Sequence, residues 1–68
     1  MINFEPFFET LKKKGITQYQ LINDYHISRG TLDSIKKNKS VTLNTLVDFC
    51  MILDCDIQDI VRIDRKTP

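Results

Sequence analysis

Arg29, Asp33 and Lys37 stand four residues apart, so on a helix they share one face, each a turn beyond the last. Gly30 and Ser34 fall beside them on the same outward stripe. The stripe offers a forked guanidinium, an acceptor-only carboxylate, a hydroxyl that plays either part and an ammonium. That inventory suits matching a pattern of donors and acceptors on a partner, and it places no nucleophile beside a base. The other reactive residue types are few. His26 is the only histidine and has no Ser, Cys or acid pair at a spacing that would complete a catalytic or metal site, so it reads as a turn residue. Cys50 and Cys55 would point about 140° apart on a continuous helix. They also lack the two further ligands of a structural zinc, and they read as small buried hydrophobes, with a redox switch as the minor alternative. No paired acid and base, no phosphate-cradling glycine loop and too little chain for a deep pocket argue against an enzyme, and no cofactor is expected.

The elements that must position the stripe are legible from apolar spacing. Between Gln18 and Lys37, the residues Leu21, Ile22, Tyr25, Ile27, Leu32 and Ile35 fall on the inward side of two short helices joined by a tight turn. Thr17 and Ser28 are placed to cap them, their hydroxyls accepting from first-turn amides that have no helical partner. Residues 1–15 read as a helix with Phe4, Phe7, Phe8 and Leu11 as its core stripe. Pro6 suits its first turn, Lys12, Lys13 and Lys14 its C-terminal end, and Gly15 its left-handed exit. Asn38 suits the same left-handed position after the helix that starts at Arg29. Thr42 or Asn44 would cap a fourth helix with Leu43, Leu46, Val47, Cys50 and Leu53 inward, leaving Phe49 and Ile52 as surplus apolar surface. A fifth helix opened by Asp56, with Asp59 three residues on, would bring Ile57, Ile60 and Val61 over that surface. A dimer partner would cover the rest, and Val61 and Ile63 would pair as a short strand across it.

At 68 residues the chain is one small domain whose core is marginal. A charged fraction of 28% against 41% hydrophobic excludes disorder along the whole length. No apolar run approaches the roughly 20 residues of a membrane span, and the N-terminus lacks the basic start of a signal peptide, so a cytoplasmic location is expected. The net charge of +1 hides a division along the chain. From Leu11 to Lys39 the basic residues are Lys12, Lys13, Lys14, Arg29, Lys36, Lys37 and Lys39, against Asp24 and Asp33 alone. From Ser40 to Val61 there are Asp48, Asp54, Asp56 and Asp59 and no base. The basic half is the half that carries the stripe, an arrangement that favours a polyanion.

Two capped helices with this spacing resemble the helix-turn-helix of the lambda-repressor-like, Cro/C1-type transcriptional regulators, and the resemblance runs from about Leu11 to Val61. It implies an all-α, five-helix DNA-binding domain over residues 1–61, followed by a polar tail at 62–68. The helix 29–37 would then enter the major groove. There Arg29 is suited to grip a guanine through O6 and N7, Asp33 to accept from a cytosine amino group, and Ser34 to donate or accept, while Gly30 lets the backbone approach or leaves one contact unmade. Phosphate contacts are implied for Gln18, which the family commonly uses in this way, and expected for Ser28, Lys37, Lys39, Ser40 and Thr42. The chain departs from the family pattern at Ile22, where a small residue is usual, and at His26, where a glycine is usual. Asn38-Lys39-Ser40 replaces the usual Asn-Gly-Lys. The expected partners are double-stranded DNA and a second copy of the chain, with no membrane and no small-molecule ligand, and the expected role is transcriptional regulation, most simply repression. A different class of reading keeps the helix pair as a protein-docking surface, of antitoxin or phage-inhibitor type.

Overall fold

In the computed structural model, which describes residues 1–65, the elements follow in the order β1 (Ile2–Asn3), α1 (Glu5–Lys14), α2 (Gln18–Asn23), α3 (Arg29–Lys36), α4 (Leu43–Leu53), a 3-10 turn (Ile57–Asp59) and β2 (Arg62–Ile63). The strands pair antiparallel, Ile2 with Ile63 and Asn3 with Arg62, so the first and last elements lie side by side. The described residues are thus mostly helical, consistent with the expected class apart from this two-residue strand pair. Among them are four α-helices, and the segment expected as a fifth makes a single 3-10 turn. The reason is space. Ile60 must enter the core, where it is fully buried, and Arg62 must already lie against β1. The opening of that turn is as expected in one respect: the Asp59 carboxylate accepts from the Asp56 amide at 3.1 Å.

α1 begins at Glu5 rather than at the start of the chain, because residues 2–3 are spent on the strand pair and the Asn3 side chain accepts from the Glu5 amide at 2.8 Å. Pro6 sits in its first turn, as its missing amide allows. Three helices then end in one way. Gly15, Asn38 and Asp54 adopt positive φ (68°, 56° and 50°), and after each the next amide reaches back to the carbonyl five residues earlier. These bonds run Ile16 to Leu11 at 3.0 Å, Lys39 to Ser34 at 2.8 Å and Cys55 to Cys50 at 3.0 Å. At Gly15 and Asn38 the left-handed residue's own amide also reaches the carbonyl three residues back, completing the Schellman end, whereas the Asp54 amide reaches Cys50; each arrangement satisfies orphan carbonyls and turns the chain sharply.

α2 and α3 have the expected caps. Thr17 Oγ1 accepts from the Gln20 amide at 3.1 Å while Gln20 Oε1 accepts from the Thr17 amide at 2.9 Å, a reciprocal box. Ser28 Oγ accepts from the Thr31 amide at 3.1 Å. The turn between the helices is carried by His26 at φ 59°, a value more readily taken by glycine. Thr17→Ala removes the hydroxyl half of the box and is expected to cost about 1 kcal/mol. In a domain of this size that lowers the melting midpoint by about 4–8 °C, readable by circular dichroism.

The core gathers Phe4, Phe7 and Leu11 of the α1 segment with Leu21, Leu32, Ile35, Leu46, Phe49, Leu53 and Ile60. Phe8 is only half-buried, its ring edge-on to Phe7 at 5.3 Å. Thr10, buried beside Leu11, donates from its hydroxyl to the Asp59 carbonyl at 2.7 Å and fastens α1 to the 3-10 turn. Two expectations are corrected. Tyr25 is 44% exposed, since α2 ends at Asn23 and the helical register does not extend to it. In α4 the inward face is Leu46, Phe49 and Leu53, whereas Leu43 and Val47 are 78% and 54% exposed. Phe49 takes the inward place because its ring packs against Phe7 at 4.8 Å.

The strand pair is reinforced at its ends. The Met1 amine donates to the Asp64 carbonyl, Asn3 Nδ2 to the Asp64 carboxylate at 2.8 Å, and Arg62 Nε to the same carboxylate at 2.8 Å. Hydrogen bonds from Asn3 and then Arg62 hold the Asp64 carboxyl below the usual carboxylate range. Of the two residues expected to pair as a strand across a dimer, Ile63 lies in β2, paired within its own chain, and Val61 precedes that strand. The expected tail 62–68 therefore starts as a strand, and residues 66–68 lie outside the described residues.

Candidate nucleic-acid interface

α3 is held by one buried edge, Leu32 and Ile35, and leaves the opposite edge to solvent. Arg29, Gly30 and Asp33 are exposed and Ser34 is half-buried, so the stripe read from spacing is brought together on one helix. Lys37 caps α3 and pairs with Asp33 at 3.1 Å across one turn. Both side chains are more than half exposed, so the pair contributes little to stability and is easily exchanged for another partner. Arg29 has no ion-pair partner among the described residues. A methyl group built on Gly30 would meet nothing nearer than Ser28 Oγ at 4.0 Å, so packing within the chain does not require the glycine.

The residues expected to meet phosphates are more scattered. Gln18 opens α2, half-buried, and lines a shallow groove with Lys12, Gly15 and Thr17. Ser28 and Thr42 are exposed but their hydroxyls already serve as caps, each accepting an amide and sharing a hydrogen bond with the hydroxyl of Thr31 or Thr45, at 2.8 Å and 2.9 Å. Lys39 is exposed on the loop after α3. Ser40 stands apart from the lysines in one respect: it lines an apolar groove with Val41, Leu43, Ile57 and Ile63.

One positioning residue was missed from the sequence. Asn38 was read for its backbone alone, yet its side-chain oxygen accepts from the Phe4 amide at 2.9 Å and ties the exit of α3 to the start of α1. The signal was the residue type itself. Glycine would serve the positive φ as well or better but has no acceptor to offer.

A compact pair of capped helices, the second with an exposed polar edge beside a lysine-bearing loop, defines a small helix-turn-helix domain. The chain belongs to the Cro/C1-type helix-turn-helix DNA-binding domain family, whose model matches residues 9–66. Among solved structures it is similar to the transcriptional regulator VanUg in its crystal form II. The identity is 24% and the TM-score 0.82, over 90% of this chain and 81% of that one. No curated protein sequence matches the chain. Among the described residues no three His, Cys, Asp or Glu side chains are grouped to hold a metal ion, and no helix is long and apolar enough to cross a membrane.

Proposed function

We propose that this chain is a sequence-specific regulator of transcription that binds double-stranded DNA, with residues 1–61 as its DNA-binding unit, and represses by occupying its operator. α3 lies in the major groove, where Arg29 grips a guanine, Asp33 and Ser34 meet neighbouring base edges and Gly30 allows close approach. Gln18, Ser28, Lys37, Lys39, Ser40 and Thr42 fix the register on phosphates, and counterion release supplies the affinity. The observation that carries this reading is the outward edge of α3, where exposed Arg29 and Asp33 and half-buried Ser34 line up beside Lys36, Lys37 and Lys39. Membership of the family and the likeness to a solved transcriptional regulator support it.

The regulator acts as a homodimer, which sets two reading helices on successive half-sites one DNA turn apart. The second copy covers an apolar face. Leu43, Val47 and Met51 recur every fourth residue along α4 and are 78%, 54% and 78% exposed. Leu43 is also shared with the groove of about 400 Å³ that includes Ile57 and Ile63, themselves 49% and 65% exposed. Five such side chains come to several hundred Å² of apolar surface, most of the roughly 800 Å² that each partner contributes to a standard interface. No lysine or arginine lies between Ser40 and Val61, so α4 and the 3-10 turn bring no cation of their own to this face.

Selection from a random duplex library at near-physiological salt tests the reading, with the wild type and Arg29→Ala side by side. The wild type is expected to enrich one palindromic motif, and the variant to lose about 1–3 kcal/mol of discrimination at one base pair of each half-site. Weak binding with no enriched motif would move the assignment to a protein-docking module.

A further inference from the structure

The left-handed end of α4, with its amide-to-carbonyl bond spanning five residues, joins two cysteines where the matching ends of α1 and α3 join Leu11 with Ile16 and Ser34 with Lys39. In this motif the residue three before the helix end and the second residue after it lie against each other, and here those positions are Cys50 and Cys55. The expected divergence of about 140° required a helix running on through both residues. α4 instead stops at Leu53, and Asp54, at φ 50°, turns the chain back. A carbonyl-to-amide distance of 3.0 Å between Cys50 and Cys55 keeps their α-carbons within about 7 Å of each other at standard bond lengths, inside the reach of a disulfide. Both thiols are free and half-buried. Burial, then the neighbouring Cys50 and Asp59, push the Cys55 thiol up, with Lys14 on α1 acting the other way.

We infer that Cys50 and Cys55 form a dithiol site that closes to an intramolecular disulfide on reaction with a low-molecular-weight disulfide such as oxidised glutathione. In the first step one protein thiol loses its proton to solvent, and the thiolate attacks a sulfur of the small disulfide. Its S–S bond breaks, one molecule of the small thiol leaves, and a mixed disulfide remains on the protein. In the second step the other cysteine, as thiolate, attacks the protein sulfur of that mixed disulfide and expels the second small thiol. Two protein thiols are oxidised and one small disulfide is reduced. Closure fixes the corner at Asp54, from which the 3-10 turn and the exposed Ile57 hang. The proposal is independent of DNA binding.

The test incubates the reduced full chain with oxidised glutathione, in native buffer and in concentrated urea, and reads intact mass after acid quenching. The native protein is expected to lose two hydrogens with little glutathione retained, and to show a higher ratio of closed product to glutathione adduct than the unfolded chain does, because the fold holds the thiols together for the second step. Cys50→Ser and Cys55→Ser are each expected to stop at a single glutathione adduct. A native chain that accumulates one or two adducts without closing overturns the proposal. So does a chain that does not react, or one whose ratio of closed product to adduct is no higher folded than in urea.

Discussion

Phe49→Ala is expected to remove most of the stability of the domain. The ring is fully buried and packs on Phe7 at 4.8 Å, at the meeting of α1 and α4. Truncation of a buried phenylalanine costs about 3–5 kcal/mol. A chain of 68 residues, at about 0.05–0.15 kcal/mol each, holds roughly 3–10 kcal/mol in all. Urea unfolding followed by far-ultraviolet circular dichroism should show the midpoint falling to a small fraction of the wild-type value, or no folded baseline. Phe49→Leu should retain much more, since it leaves a smaller void. Val47→Ala, two residues away on the exposed side, should shift the midpoint little. If Val47→Ala proved the costlier change, α4 would have to present the face through Leu43 and Val47 to the core.

Replacing Leu43, Val47 and Met51 together by glutamine is expected to leave the fold intact and to weaken operator binding by about a hundredfold or more, the scale on which linked half-sites gain over single ones. All three side chains are more than half exposed, so the monomer loses little packing. Glutamine is neutral and a good helix former, so neither long-range attraction to DNA nor helix propensity changes much. Sedimentation at tens of micromolar should show the wild type as a dimer and the variant as a monomer with the same circular dichroism spectrum. Binding of the variant to a single half-site should be nearly that of the wild type. A monomeric wild type, on DNA as well as free, would remove the second copy from the mechanism and leave the reading role of α3 standing.

Much of the core and of the candidate site could be read from residue spacing, for reasons visible in particular residues. Phe4, Phe7 and Leu11 recur at helical intervals, and all three are buried. Thr17 and Ser28 announce helix starts because their hydroxyls replace missing acceptors. α4 was harder. Its sequence, LNTLVDFCMIL, is apolar on nearly every side, so periodicity allows two inward faces and only the packing of Phe49 on Phe7 decides between them. The same motif was legible at one helix end and hidden at another. Gly15 marks the left-handed exit of α1 by its type, whereas Asp54 takes that conformation without being the residue expected there, and the meeting of the two cysteines was missed with it. Strands of two residues carry no alternation to detect, and their pairing depends on contacts some sixty positions apart.

The closure of β1 on β2 has a practical side. Met1 and Asp64 are neighbours and line one groove with Lys37 and Asn38. Any purification tag or fused protein added before Met1 therefore begins its path beside the exit of α3, within reach of the duplex that α3 is proposed to enter. An amino-terminal fusion is the one most apt to blunt an operator assay, and a basic tag the one most apt to add affinity of its own. Binding measurements on this protein are best made with any such addition before Met1 removed.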